Sequence, residues 1–183
     1  MTGWPRSELC DLLGIEHPII QAPMAGATTP PLAAAVSNAG GLGSLGCAAQ
    51  SADQVRADVA ALRDGTNHAF NLNFFVHDAP VPDAENEAAM QQRLAPYYNE
   101  LELGDAPAAR SIFPIFGKEM LAVVTELSPK VASFHFGLPE RAMIDARKEA
   151  GAVILASATT VCEAIALEAG GADAVIAQGV EAG

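Results

Sequence analysis

Short apolar runs recur along the chain and alternate with longer segments whose apolar residues follow helical spacing. Six runs begin near Ile19, Leu42, Phe70, Val131, Val153 and Ala174. This alternation predicts parallel strands that are joined by helical crossovers. The last three units occupy about twenty residues each. Such short units favour a (β/α)8 TIM barrel over a doubly wound sheet, whose units are usually longer.

A complete barrel of this class needs eight units and about 250 residues. The 183 residues hold six candidate units, so the sequence predicts an α/β protein with about six of the eight units. Residues 1–183 would form the amino-terminal portion of the barrel. A proline-rich stretch at 77–114, with a charged helical piece around 83–103, is interpreted as a surface insertion and not as a second domain. Residues 7–13 predict a short helix, capped by Ser7, that plugs one end of the barrel.

The composition excludes several classes of protein. A net charge of −12 argues against a nucleic-acid partner, which requires clustered Lys and Arg. The chain has no uninterrupted apolar run of the roughly 20 residues needed to cross a bilayer, and no secretory signal at its start. Cys10, Cys47 and Cys162 lack metal-binding spacing and are interpreted as core residues. Their odd number and wide separation are typical of a protein in a reducing compartment. We therefore expect a cytoplasmic protein with no membrane partner and no metal.

The segment Gly41-Leu-Gly43-Ser-Leu-Gly46 matches the dinucleotide-binding fingerprint letter for letter. That motif requires a strand before it and a helix that opens within it. Here the preceding segment is predicted to be a helix, and the glycines fall on the strand itself. We interpret them as residues that allow close packing at a barrel corner.

Reactive groups of such barrels lie at the carboxyl ends of the strands. The predicted ends carry a polar, almost uncharged set in which His135, Asn73, Gln178 and Met24 stand out. His135 in apolar surroundings would be neutral, as a base must be, or it is a core histidine that bonds a backbone carbonyl. Asn73 and Gln178 either bind a polar ligand or bond each other or loop carbonyls. Met24 by default packs in the core.

Several of these segments resemble the nitronate monooxygenase family, formerly called 2-nitropropane dioxygenases. The resemblance covers nearly the whole chain and is weakest at 77–114. The two most specific elements are Ser133-Phe-His-Phe-Gly137 and Ala177-Gln-Gly-Val-Glu-Ala-Gly183. The family is built as an FMN-containing (β/α)8 barrel with a lid domain. The resemblance implies that the last strand–helix units and most of the lid are absent from this chain.

The resemblance implies a flavin site on matching positions. Ala22, Pro23 and Met24 would pack beside the flavin ring. Asn73 and Gln178 would hydrogen-bond the flavin or its ribityl chain.

The remaining implied roles fall on Gly183 and His135. Gly183 would begin the loop that approaches the phosphate of FMN, and His135 would take the α-proton of a nitroalkane. In the family reaction a nitronate reduces FMN, O2 then reacts, and a carbonyl compound and nitrite are released. The small-molecule partners would be a nitronate or nitroalkane and O2, and the chain would pair with copies of itself or with the carboxyl-terminal remainder of the protein.

Two alternatives remain open at this stage. One is a related FMN barrel, either an NAD(P)H:quinone reductase or an enoyl-thioester reductase. The other is a non-catalytic barrel fragment that depends on a partner chain, because open sheet edges promote association.

Overall fold

The structure is a computed structural model that describes residues 7–78, 81–108 and 114–182. Within them one all-parallel sheet has its strands in the order β1-β2-β3-β4-β5. The strands are β1 (Gly43–Gly46), β2 (Phe70–Phe75), β3 (Val131–His135), β4 (Val153–Ala158) and β5 (Ala174–Ala177). Each strand pairs with the next strand along the chain. The reversal of order that defines a doubly wound sheet is not seen in this sheet, and the predicted parallel α/β class is confirmed.

Seven helices are described, and five of them begin at a side chain that caps the first turn. They are α1 (Glu8–Leu13), α2 (Pro30–Asn38), α3 (Ala52–Gly65), α4 (Ala84–Glu100), α5 (Lys118–Leu127), α6 (Arg141–Glu149) and α7 (Val161–Gly170), followed by a 3₁₀ turn at Val180–Ala182. Thr29, Ser51 and Thr160 each accept a hydrogen bond from a backbone N–H in the first turn of α2, α3 and α7. These bonds satisfy donors that have no partner within the helix.

The prediction of a buried strand at the first apolar run is wrong. The run forms a single parallel bridge, between Ile20 and Leu42, and the side chain of Ile19 is 49% exposed. Proline lacks the N–H that a ladder needs, and Pro18 and Pro23 leave only four residues between them. The run therefore adds two backbone hydrogen bonds, Gln21 N–H to Leu42 O and Leu42 N–H to Ile19 O, to the edge of the sheet.

One face of the sheet, which we call the helix face, carries Leu72, Phe74 and Phe134. These side chains pack with Val59 of α3 and Val124 of α5 in the largest apolar cluster of the described residues. The ring of Phe74 lies 6.3 Å from that of Phe134. Because strand side chains alternate, every second residue of the same strands must point to the other face.

That other face, which we call the open face, carries Asn73 and Ser133, which are register partners. At the amino ends of the strands it is apolar, and α1 packs against it there. Leu13 of α1 is fully buried, and a second cluster joins it to Val131 and Val153. Ser7 caps α1 by accepting the N–H of Cys10. The predicted short helix and its Ser7 cap are therefore confirmed.

The chain divides into two compact units. One comprises residues 1–77 and 114–183, and the other comprises residues 78–113. The smaller unit contains α4, so the predicted helical piece is present, and none of the described α4 side chains is buried. No helix of the described ranges is both long enough and apolar enough to cross a membrane.

Candidate active site

The strand register places the candidate residues in layers at the carboxyl edge of the open face. Asn73 of β2 pairs with Ser133 of β3, and Ser133 pairs with Leu155 of β4. Two residues further along the same two strands, Phe75 pairs with His135. Register partners share a face of the sheet. Asn73 and His135, which are 62 residues apart in sequence, therefore come to the same edge on adjacent strands.

Below this edge lies a buried polar network. Asn73 Nδ2 donates to Ser133 Oγ at 2.9 Å and to the Ser133 carbonyl at 3.3 Å. Asn71 Nδ2 donates to the hydroxyls of Ser133 at 2.9 Å and Ser44 at 3.2 Å. The buried Asn71 Oδ1 accepts no hydrogen bond from the described residues. The nitrogen of Asn73 is thus committed to Ser133 of the neighbouring strand, and not to Gln178 or a loop carbonyl. The network fixes the Asn73 side chain at the edge.

His135 ends β3 and is partly buried among aromatic rings. Its ring lies 5.8 Å from that of Phe75 and 4.1 Å from that of Phe136. Burial lowers the pKa of His135 below its ordinary value of 6.5, and the negative charge of Glu163 opposes part of that shift. The imidazole is therefore mostly neutral at pH 7, which is the state that a general base requires.

Simple alternation places Phe136 on the helix face with Phe134, and this expectation is wrong. Strand β3 ends at His135, and Phe136 has a left-handed backbone with φ of 70°. The turn brings the Phe136 ring edge-on to Phe75 at 5.1 Å, and the residue remains 62% exposed. Because the period of two applies only within the strand, the ring stands beside the imidazole.

A cleft of about 470 Å³ opens next to His135. It is lined by His135, Phe136, Gly137, Ser157, Thr159, Glu163, Ala166 and Leu167. Its walls are thus mainly apolar and aromatic, with a few hydroxyls, one imidazole and one carboxylate. A space of this size accommodates a small organic substrate.

Sequence reasoning missed Glu163, the carboxylate of this cleft. Glu163 Oε2 accepts the N–H of Thr159 at 2.7 Å and its hydroxyl at 2.8 Å, while Thr160 Oγ accepts the N–H of Glu163. These bonds lower the pKa of Glu163, which therefore stays ionised. The spacing Thr160-x-x-Glu163 is a capping-box signature, and it could have located this carboxylate at the carboxyl end of β4.

The segment Ala22-Pro23-Met24 lies beside the end of β1, where Ala22 and Met24 are exposed. A Cβ at Gly46 would stand 2.7 Å from the nitrogen of Ala25 and 2.9 Å from the carbonyl carbon of Met24. Glycine at the end of β1 therefore permits this backbone to approach. The core position expected by default for Met24 is wrong, because its side chain is 47% exposed.

The glycine motif has the packing role that its context predicts. A Cβ at Gly43 would lie 2.0 Å from the carbonyl oxygen of Ala33, so α2 contacts β1 backbone to backbone. Gly43 and Gly46 lie on the strand, and α3 begins only at Ala52. This geometry differs from that of a dinucleotide loop, in which the helix opens within the motif.

Gln178 directly follows β5, and its N–H continues the ladder by donating to the Ala158 carbonyl at 2.9 Å. Ile176 is a register partner of Ser157, which lines the cleft, and Gln178 lies two residues further along the chain, just beyond the end of β5. Gln178 is half-buried. The prediction for Gly183 falls outside the described residues.

The cysteines divide into two classes. Cys10 and Cys47 are buried, as expected, and burial raises the pKa of the Cys47 thiol to about 12. Cys162 is exposed, so its assignment to the core is wrong. Helix α7 packs through Leu167 and Ala164, and Cys162 lies on the opposite side of that helix. In the described ranges no group of three or more His, Cys, Asp or Glu residues could hold a metal ion.

The comparison with protein families agrees with this geometry. The profile of the nitronate monooxygenase family matches residues 6–183. The chain is 49% identical over 182 residues to a nitronate monooxygenase of Paraburkholderia phytofirmans, covering 97% of this chain and 49% of that protein. A nitronate monooxygenase of Pseudomonas aeruginosa is 44% identical over 174 residues, covering 94% of this chain and 50% of that protein. This chain belongs to the nitronate monooxygenase family.

Solved structures lead to the same family and fold. The nitroalkane oxidase from Streptomyces ansochromogenes superimposes with a TM-score of 0.81 at 42% identity, covering 96% of this chain and 49% of that chain. FabK from Thermotoga maritima gives a TM-score of 0.70 at 31% identity, covering 96% of this chain and 45% of that one. The chain spans about half the length of the relatives that it matches. The match to the nitroalkane oxidase is the stronger of the two, both in TM-score and in sequence identity.

Proposed function

We propose that this chain provides part of an FMN-dependent enzyme that oxidises alkyl nitronates with O2 to a carbonyl compound and nitrite. Nitroalkanes would enter the same reaction after loss of their α-proton. Family membership supports the reaction class. The observation that carries the proposal is the imidazole of His135, which lines a mainly apolar cleft at the carboxyl edge of a parallel sheet, where burial lowers its pKa.

We further propose that the described sheet is part of a (β/α)8 barrel. Consecutive parallel strand order and a helix that covers the amino ends of the open face support it. Strand β5 pairs with β4, and two of its residues are exposed. In the proposed barrel, further strand–helix units of the protein, together with most of a lid, would cover this edge. Residues 77–114 would remain a surface insertion.

The carboxyl edge of the open face fits the ring system of a flavin. It offers amides, hydroxyls and aromatic rings, which match an uncharged ring with donors and acceptors on its rim. Asn73 and Gln178 would bind the ring or ribityl chain, and Ala22, Pro23 and Met24 would pack beside it. Gly183 would begin the loop that approaches the phosphate. Bound FMN would supply the redox chemistry, accepting electrons from the nitronate and passing them to O2.

The protein's own task in this reaction is to bind the substrate and to move one proton. Phe75 and Phe136 form an apolar wall beside His135, so a small nitroalkane can displace water there. The neutral imidazole would accept the α-proton and become an imidazolium while the substrate becomes a nitronate. A nitronate supplied ready-made does not need this step.

The test uses the complete protein of which this chain is part, purified and loaded with FMN, and compares a neutral nitroalkane with its preformed nitronate. His135→Asn should lower nitroalkane turnover by at least about 100-fold, the usual contribution of a general base. Turnover of the preformed nitronate should change by only a few fold. His68→Asn, which removes an exposed imidazole, should leave both activities intact.

Three results would contradict the proposal. Equal loss on both substrates would exclude His135 as the proton acceptor. Failure of the complete, FMN-loaded protein to oxidise nitronate would exclude the reaction. Anaerobic bleaching of the flavin by NAD(P)H, but not by nitronate, would assign the chain to the reductase class.

A further inference from the structure

The cleft beside His135 contains one carboxylate that the proposed reaction does not use. Glu163 lies in the first turn of α7 and faces the cleft that His135 lines. The other lining residues are uncharged. Among the described residues, Glu163 is the one charged group whose field acts on His135. A reaction that turns a neutral imidazole into a cation should respond to this charge.

The position of the Glu163 carboxylate is fixed before any substrate arrives. Both the backbone and the hydroxyl of Thr159 donate to Oε2, and Thr160 caps the helix that carries the residue. Two charge-assisted hydrogen bonds hold the side chain in one orientation, and they keep it ionised. The negative charge therefore costs little reorganisation when charge develops on His135.

We propose that Glu163 is a positioning residue that biases this cleft toward neutral nitroalkanes and away from preformed nitronates. This inference rests on the proposed function. The Glu163 carboxylate stabilises the imidazolium that forms when His135 takes the α-proton. It therefore favours deprotonation of a nitroalkane that is already bound in the cleft. The same charge repels an anionic nitronate that approaches the cleft from solution.

The two effects have opposite signs for the two forms of one substrate. For a neutral nitroalkane, loss of the Glu163 charge weakens proton abstraction and does not affect entry of the uncharged molecule. For the nitronate, the proton step is absent, so loss of the charge only removes repulsion. The ratio of the two activities therefore reports on Glu163 specifically, and a general loss of structure would lower both.

Glu163→Gln is the decisive variant because the glutamine oxygen can still accept both hydrogen bonds from Thr159. It removes the charge and keeps the helix cap. Glu168→Gln is the matched control, since Glu168 is an exposed carboxylate further along the same helix. Equal thermal unfolding midpoints of Glu163→Gln and the parent chain would establish that the cap is intact.

The first readout is the NMR titration of His135, which requires no turnover. We expect its midpoint to shift to lower pH in Glu163→Gln and to stay in place in Glu168→Gln, with the shift shrinking at high salt. The second readout is kinetic. Turnover of the neutral nitroalkane should fall several-fold while kcat/KM for the nitronate holds or rises.

The outcomes separate this inference from the proposed function. An unshifted His135 midpoint, or equal shifts in both variants, would overturn the role of Glu163. Equal losses on the two substrates would overturn it as well. A shifted midpoint in a chain that oxidises no nitronate would support the coupling of Glu163 to His135 and would contradict the proposed reaction.

Discussion

The two ends of the open face are built from the same strands and differ in chemistry. At the amino ends, Val131 and Val153 pack under Leu13 of α1, and the layer excludes water. At the carboxyl ends, Ser133 and His135 occupy the corresponding alternate positions of β3, and a cleft is open to solvent. One end contributes apolar burial and the other contributes polar groups. Stability and candidate chemistry are thus separated along a single strand.

The largest expected effect tests the amino end. Leu13→Ala removes a fully buried side chain from the contact between α1 and the sheet. We expect it to lower the free energy of unfolding by about 3 kcal/mol, within the range for buried leucines. Chemical denaturation measures this loss. The titration of His135 at the other end should be unchanged, and a large change there would break the separation of the two ends.

The matched control for Leu13 is the same substitution at an exposed leucine. Leu32 lies on α2 and is 42% exposed. Leu32→Ala should cost clearly less than Leu13→Ala. Similar losses at the two positions would mean that α1 does not seal the sheet.

The next effect tests the carboxyl end of β1. Gly46→Ala would place a Cβ against the backbone of Met24 and Ala25, which must move away. We expect a loss of about 2 kcal/mol in the free energy of unfolding, typical of overpacking, together with weaker FMN binding by fluorescence titration. Gly117→Ala is the control, since its Cβ would meet nothing closer than 3.8 Å. Unchanged stability in Gly46→Ala would show that this backbone contact is not rigid.

A smaller effect concerns the cap of α1. Ser7→Ala removes the acceptor for the N–H of Cys10 and should cost about 1 kcal/mol, the usual value for an N-cap. Ser7→Asp restores an acceptor and should recover most of the loss in thermal denaturation. Equal stability of the serine and alanine proteins would mean that packing alone holds α1.

The smallest effect is the pH dependence contributed by His135. Its pKa is lower in the folded protein than its ordinary value of 6.5, so the unfolded chain binds the proton more tightly. Stability should therefore fall as pH drops through 6.5 toward the folded pKa. His135→Gln should flatten this part of the profile, whereas His68→Gln should not. A profile that is the same in all three proteins would contradict the burial of the imidazole.

Much of the fold follows from local signals. Capping residues such as Ser7, Ser51 and Thr160 locate helix starts because they bond the backbone next to them. The spacing of the apolar runs gives the number and direction of most strands. The strand predicted at Ile19 does not form. The apolar pattern alone takes no account of Pro18 and Pro23, which leave only four residues between them.

The site is predicted less completely because it depends on contacts between distant segments. Alternation places Ser133 and His135 correctly on one face, since that rule is local to a strand. Phe136 escapes the rule because its left-handed turn is not encoded by a glycine. Glu163 resembles an ordinary helix cap in sequence, and only the folded sheet brings it to the cleft of His135.

The three cysteines differ in exposure, so their reaction with a thiol reagent can report when the buried interior opens. In the folded state a thiol-specific dye should label Cys162 quickly, since only that sulfur among the three is exposed. Burial raises the pKa of the Cys47 thiol to about 12, and the residue packs in the apolar cluster of the helix face, so its labelling requires that cluster to open. Counting the attached dye molecules by mass spectrometry over time would then give the rate at which the buried cluster opens. No cysteine has to be introduced by mutation for this measurement.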